Sequence, residues 1–174
     1  MKIRIAGMFV AVVFWVSPAF AWQGYVVKVL DGDSIRVKRA GKVYEIRLYG
    51  IDTPEYKQPF GKKAGRLTRR MLLHKNVVVQ PVDVDHYGRI VALVSRNGRL
   101  VNQELVRQGA AWLYPRYCTR QPLCRELRKE ERQAREQHLG LWAGSNPLSP
   151  SQWKRLNKKS SGRHRLHFRR HRQH

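Results

Sequence analysis

The sequence predicts an α+β domain whose centre is a five-stranded barrel of the OB type, carrying three helices. Two observations predict it. Short segments rich in Val, Ile and Tyr alternate with turn dipeptides, and one amphipathic helical stretch falls between the third and the fourth of them. The chain has 174 residues, 42% of them hydrophobic, which suits one domain with a real core better than two.

The elements follow in order. Tyr25 to Leu30, Ser34 to Arg39 and Val43 to Ile51 are strand-like, and Asp31-Gly32-Asp33 and Ala40-Gly41 turn the chain between them into a meander. Gly61 to Lys75 is predicted helical, with Ala64, Leu67, Met71 and Leu72 on one side and Lys62, Lys63, Arg66, Arg69 and Arg70 largely on the other. Asn76 to Val84 and Arg89 to Val94 are two further strands, joined through Asp85-His86-Tyr87-Gly88, and Asn97-Gly98 marks the next turn. Val101 to Gln108, closed by Gly109, and Arg125 to His138, closed by Gly140, complete the three helices. Other α+β sandwiches fit the same string of elements.

The two ends differ from this middle. Lys2 and Arg4 precede an apolar run from Ile5 to Val16, and Ala19-Phe20-Ala21 closes it, the pattern of a secretory signal peptide (residues 1–21) cleaved after Ala21. The run is shorter than the roughly 17–25 residues that span a bilayer as a helix, so no stable membrane span is expected after cleavage. A secreted or periplasmic protein is the expectation. The domain is expected over residues 22–145 and a basic, disordered tail over 146–174, because the stretch from Trp153 to His174 is almost devoid of apolar residues and crowded with Lys, Arg and His. Cys118 and Cys124, separated by five residues, read as a local disulfide in an oxidising compartment. No second Cys/His pair stands at zinc-ligand spacing.

Charge narrows the partners. Against 35 Lys+Arg stand only 12 Asp+Glu, a formal net charge of +23, so the partner is a polyanion: nucleic acid, anionic lipid or acidic polysaccharide. In so basic a chain the positions of the acids carry information. Asp31 and Asp33 share one turn, Asp52 and Glu55 share another, and each turn follows a strand. Carboxylates there would weaken a polyanion-binding surface unless they hold a cation, and a hard divalent ion takes such oxygen ligands. Pro54 biases Thr53 towards extended backbone, which frees its carbonyl to face an ion. Ile46 and Leu48 share one face of their strand, so Arg47 projects from the other. Arg47 and Arg89, both on strands, suit a bidentate phosphate clamp.

Four strings together resemble the staphylococcal-type nuclease (thermonuclease) family. They are Val29-Leu30-Asp31-Gly32-Asp33-Ser34, the run from Ile46 to Glu55, Asp85-His86-Tyr87-Gly88-Arg89 and the run from Leu100 to Gly109, in the family's order. The resemblance covers residues 24 to 142. It implies the five-stranded OB barrel with three helices. It implies Asp33 and Asp52 as calcium carboxylates, with Thr53 lending its carbonyl and Asp31 lying behind them in the same turn. Glu55 then acts on the attacking water, Arg47 and Arg89 hold the phosphate, and Tyr87 lies near the nucleotide phosphate. His86 stands where the best-known members carry lysine, and the place of the base-stacking tyrosine falls on Pro115, flanked by Tyr114 and Tyr117 as its candidates. Calcium is favoured by the resemblance alone; magnesium fits the same oxygens.

The reaction so implied is phosphodiester hydrolysis of DNA with little sequence specificity, RNA left open as a second substrate, a metal-activated water attacking and the 5′-oxygen leaving; a monomer is the separate expectation. Two other classes fit parts of the sequence: a non-catalytic OB-type binder of single strands, and a cationic polyanion or surface binder acting through its tail. Neither needs three acids beside a phosphate groove.

Overall fold

A computed structural model describes residues 20–158, so the signal-peptide expectation, save its last two residues, and the tail beyond residue 158 lie outside the described residues. β1 (Trp22–Val29), β2 (Ser34–Arg39) and β3 (Lys42–Leu48) form the expected antiparallel meander. After α1 (Gly61–Leu72), β5 (Asn76–Val84) pairs with β1, β6 (Ile90–Arg96) pairs with β5, and the short β7 (Arg99–Leu100) pairs with β6. A parallel pairing of β3 with β6, Ile46 against Ile90 and Leu48 against Ala92, closes the five longer strands into a barrel.

Alternation decides what fills it. Ile35 and Val37, Ile46 and Leu48, Val77 and Val79, and Ala92 and Val94 are all buried, every second residue of their strands, and on β1 Val26 and Val29 are buried three apart because the register shifts between Val26 and Lys28. Leu72 of α1 and Leu105 of α2 (Val101–Arg107) join the same core, as does Leu127 of α3 (Leu123–Glu136).

Three departures from the expected elements have physical causes. The segment Val43 to Ile51 is not one strand. Gly50, at φ +75°, breaks it, and the chain resumes as β4 (Ile51–Asp52), which pairs with β8 (Trp112–Leu113) in a separate two-stranded sheet. The helix expected to reach Lys75 stops at Leu72. Its continuation is captured by β1, with the His74 N–H on the Val26 carbonyl and the Val26 N–H on the Lys75 carbonyl, both at 2.9 Å. The tail expected from residue 146 is ordered over its described part: residues 150–158 are a fourth α-helix among the described residues. Ser149 and Gln152 close a capping box at its start, Ser149 N–H to Gln152 Oε1 at 2.8 Å and Gln152 N–H to Ser149 Oγ at 3.3 Å.

A buried polar residue ties the barrel to the break at Gly50. The Asn102 amide donates to the carbonyls of Tyr49 (3.0 Å) and Ala92 (3.2 Å), and its oxygen accepts the Val94 N–H. From the other side the Tyr49 hydroxyl accepts the N–H groups of Thr119 and Arg120, at 2.8 and 3.0 Å. Cys118 and Cys124 form the expected disulfide, and Cys118 lies against Gly50, where an added Cβ would meet its sulfur at 2.9 Å.

Gly50 therefore needs both its backbone angle and its lack of a side chain. Gly50→Ala is expected to lower unfolding stability by about 1–3 kcal/mol, read as a lower urea midpoint with unchanged slope. An unaltered midpoint would show that the break does not depend on glycine.

Candidate active site

The first acid is built into the turn between β1 and β2. Asp31 accepts the Asp33 N–H at 3.0 Å, a side-chain-closed turn that sets Asp33 inward. Gly32 leaves room for what comes next: a Cβ there would lie 2.6 Å from Thr53 Oγ1. Asp33 is only 1% exposed, and its carboxylate is surrounded by donors. Oδ2 accepts the Thr53 N–H at 2.7 Å and the Thr53 hydroxyl at 2.9 Å, while Oδ1 accepts the Ser34 hydroxyl and the Arg47 guanidinium. The carboxylate thus joins the start of β2, the end of β3 and the exit of β4. Behind the turn, the Thr68 hydroxyl of α1 donates to the Gly32 carbonyl at 2.6 Å.

The second acid arrives by the break at Gly50. Because β4 is re-aimed onto β8, Asp52 lies opposite Trp112 and its carboxylate meets the same guanidinium: Arg47 Nη2 to Asp52 Oδ1 is 2.7 Å. Burial pushes the Asp52 carboxyl above the usual carboxylate range. The charges of Arg47 and Lys154 pull it down without overcoming this, and Glu55 pushes it further up. Asp33 and Asp52 therefore converge on one positive group. Those two carboxylates are of the oxygen type a hard divalent ion takes and would be part of a shell of about six to eight oxygens, completed by backbone carbonyl and water; no group of three or more His, Cys, Asp or Glu is gathered for a metal among the described residues.

Glu55 stands at the rim of this pair. Its side chain is 37% exposed and lies 2.7 Å from Lys154 Nζ. Its loop is fixed by Gln58, whose Oε1 accepts the Glu55 N–H (3.0 Å) while its own N–H donates to the Glu55 carbonyl (2.9 Å). The same Gln58 side chain donates to the Leu148 carbonyl at 2.5 Å.

Arg47, Asp33, Asp52, Thr53 and Glu55 are thus brought together, with Asp31 directly behind Asp33. The arrangement differs from the expectation in one respect. Arg47 was expected to face a phosphate across from the acids, yet its guanidinium contacts two of them. A nearly buried carboxylate beside a second needs a positive neighbour, and Arg47 on the adjoining strand is it. Arg89 is likewise paired, to Asp85 at 2.7 Å, just before β6 begins alongside β3. Tyr87 is 74% exposed on the Asp85–Arg89 turn, with the Arg89 guanidinium 5.4 Å from its ring. Tyr114 and Tyr117 lie with ring centroids 4.8 Å apart immediately after β8, the strand that flanks Asp52. Sequence reasoning missed Gln58, Asn102 and Lys154. A polar residue on the inner face of α2 signals Asn102, and Ser149-Pro150-Ser151-Gln152 signals the helix that carries Lys154.

Comparison with known proteins gives the family. The family profile described as "Staphylococcal nuclease homologue" matches residues 45–144. A protein of Escherichia coli, described as an uncharacterized endonuclease, is 42% identical over 133 residues, covering 76% of this chain and 84% of its own. One of Shigella flexneri, described as a micrococcal nuclease, is 35% identical over 162 residues, covering 87% and 92% respectively. One of Haemophilus influenzae, again described as an uncharacterized endonuclease, is 36% identical over 134 residues, covering 76% and 73%.

The chain belongs to the staphylococcal nuclease homologue family. As a staphylococcal-type nuclease it is a hydrolase, and its substrate is nucleic acid. No helix among its described residues is long and apolar enough to cross a membrane.

In this nuclease the Asp85–Arg89 pair also carries a pH signature. Burial pushes the Asp85 carboxyl up, but the hydrogen bonds of the Arg89 side chain and of the Arg89 and Tyr87 N–H groups outweigh it and hold it below the usual range. A carboxyl lowered by folding contributes stability above its unfolded pKa and loses it as pH falls through its folded value. Thermal scans from pH 7 to 3 are expected to show a shallower acid loss for Asp85→Asn than for the parent. Parallel curves would remove this pair from the acid response.

Proposed function

We propose that this nuclease is an exported, metal-dependent endonuclease that hydrolyses phosphodiester bonds of DNA, and of RNA, with little sequence specificity. The observation that carries the reading is the convergence of Asp33 and Asp52 on one cationic position, with Glu55 three residues beyond Asp52 at the rim. Asp33, Asp52 and the Thr53 carbonyl would hold the ion, for which calcium is the first choice and magnesium the second. Bound there, a divalent ion supplies charge to polarise a phosphoryl oxygen and to help orient a water.

The remaining work falls to the chain's own groups. Glu55, on the solvent side of the acid pair, takes the proton of the attacking water. The water oxygen bonds to phosphorus and the bond from phosphorus to the 5′-oxygen breaks; the departing 5′-oxygen takes a proton from solvent water, and the products are a 3′-phosphate and a 5′-hydroxyl. Proton removal by a placed carboxylate is typically worth ~10²–10⁴-fold. Arg47 is already at the acid pair and offers planar donors to the charge that builds on the phosphoryl oxygens. Arg89, on the turn just before β6, is the second such donor, each worth about 10²–10³-fold by comparison with a lost oxyanion donor. Tyr87 lies on the same turn as Arg89 and is proposed near a substrate phosphate, while the Tyr114–Tyr117 pair offers a stacking platform. Contacts centred on phosphate read no base sequence, which supports broad specificity. The basic, apolar and small-residue order of residues 1–21 supports export.

Purified chain with plasmid is expected to cut in calcium or magnesium and to stop with chelator. Glu55→Gln is expected to lower turnover by ~10²–10⁴-fold while DNA binding persists. Unchanged turnover would take Glu55 out of the chemistry, and binding without any cleavage by the parent would favour the non-catalytic binder. Removing residues 159–174 is expected to leave cleavage in place while weakening low-salt affinity. Loss of all function would favour the tail-driven surface binder.

A further inference from the structure

Residues 146–158 lie outside the barrel's own elements, yet they are fastened to the loop that carries Glu55. Three observations locate the attachment. Gln58, 5% exposed, holds the Glu55 N–H with its oxygen and the Leu148 carbonyl with its nitrogen, so one buried amide fixes the spacing between loop and segment. Leu148 and Trp153 line an apolar recess with Phe60, Trp112 and Leu141, and Trp112 is the register partner of Asp52. The capping box of Ser149 and Gln152 sets the direction in which the helix leaves this recess. The outcome is that Lys154 stands 2.7 Å from Glu55, and its charge is also felt at Asp52.

We infer that Lys154 is a substrate-binding residue, a cation delivered by the C-terminal helix to the phosphate next to the one being cut. The inference rests on the proposed role of Glu55 at the scissile phosphate. The pair itself argues against a lock on Glu55: its two side chains are 65% and 37% exposed, and exposed ion pairs hold weakly. An ammonium on a long flexible stem, anchored at its base and loose at its head, transfers readily to an incoming phosphate. Arg47 and Arg89 are each drawn onto carboxylates, whereas Lys154 faces an acid that is itself open to solvent. Its place beside the base makes it a contact for a flanking phosphate, separate from the arginines.

The test compares full-length parent, Lys154→Met and Lys154→Arg on a single-stranded oligonucleotide, measuring kcat, KM and the dependence of binding on salt. Lys154→Met is expected to raise KM about three- to tenfold with kcat within about twofold, and to reduce the slope of log affinity against log salt by about 1. Lys154→Arg is expected to restore most of both. Unchanged KM and salt slope in Lys154→Met would overturn the inference, and so would a higher kcat at unchanged KM, which would make the pair a restraint on Glu55. The exposed side chain makes an unchanged thermal midpoint the check on folding. A parent chain that binds the oligonucleotide but never cleaves it would overturn the endonuclease reading instead, a result distinct from either.

Discussion

The buried carboxylate of Asp33 is the constraint on which the rest of the site depends. A charge removed from water must be surrounded by donors, or it is protonated or the structure yields. Four donors meet it here, and they come from places far apart in sequence: Ser34 at the start of β2, Arg47 near the end of β3, and the N–H and hydroxyl of Thr53 just after β4. Satisfying one carboxylate therefore sets the relative position of the β1–β2 turn and the β3–β4 break. The second acid, Asp52, is adjacent to Thr53 in the chain and is carried into place by the same bonds. The candidate ion site is thus a by-product of meeting the needs of one buried charge.

This dependence explains two glycines that otherwise read as ordinary turn residues. Gly32 has no side chain because Thr53 must approach the turn to reach Asp33. Gly50 has a left-handed backbone because β3 must stop pairing with β6 and swing onto β8 before Asp52. Asn102 and Tyr49 reinforce the swing from two sides, Asn102 by holding the Tyr49 carbonyl and Tyr49 by holding the loop of the disulfide. A strongly basic chain attracts nucleic acid without choosing where on its surface the polyanion lies. Only four of the twelve acids, Asp31, Asp33, Asp52 and Glu55, lie at the candidate site of a chain whose net charge is +23.

Much of this was legible in the sequence, and the parts that were not share a cause. β2 and β5 match their expected segments because period-two alternation and flanking turns are local signals. The division at Gly50 was hidden because Leu48 to Ile51 holds no charged residue to mark a boundary, and only pairing with the distant β8 reveals two strands. Asp33, Arg47, Asp52 and Glu55 were singled out by residue type, position and family resemblance, and they do lie together, yet the bond between Arg47 and the acids was not foreseen, since which neighbour neutralises a buried carboxylate is settled by packing. The helix over residues 150–158 was concealed by its composition. Trp153 and Leu156 are its only large apolar residues in a strongly basic stretch, so charge spoke louder than Ser149-Pro150-Ser151-Gln152.

That capping sequence changes what the end of the chain is for. A basic segment without structure contributes a diffuse charge whose effect is the same wherever it happens to lie. A helix with a defined start, preceded by Leu148 bonded to Gln58 and lining one recess with Phe60 and Trp112, gives one of its cations a fixed base. The difference is one of geometry rather than of charge: Lys154 and the lysines and arginines beyond residue 158 carry the same sign, but only Lys154 has a described position next to an acid of the site. Gln58 makes the two ends of that arrangement inseparable. The amide that steadies the Glu55 loop is the one that holds Leu148, so a displacement of the segment is transmitted to the backbone that positions the proposed base.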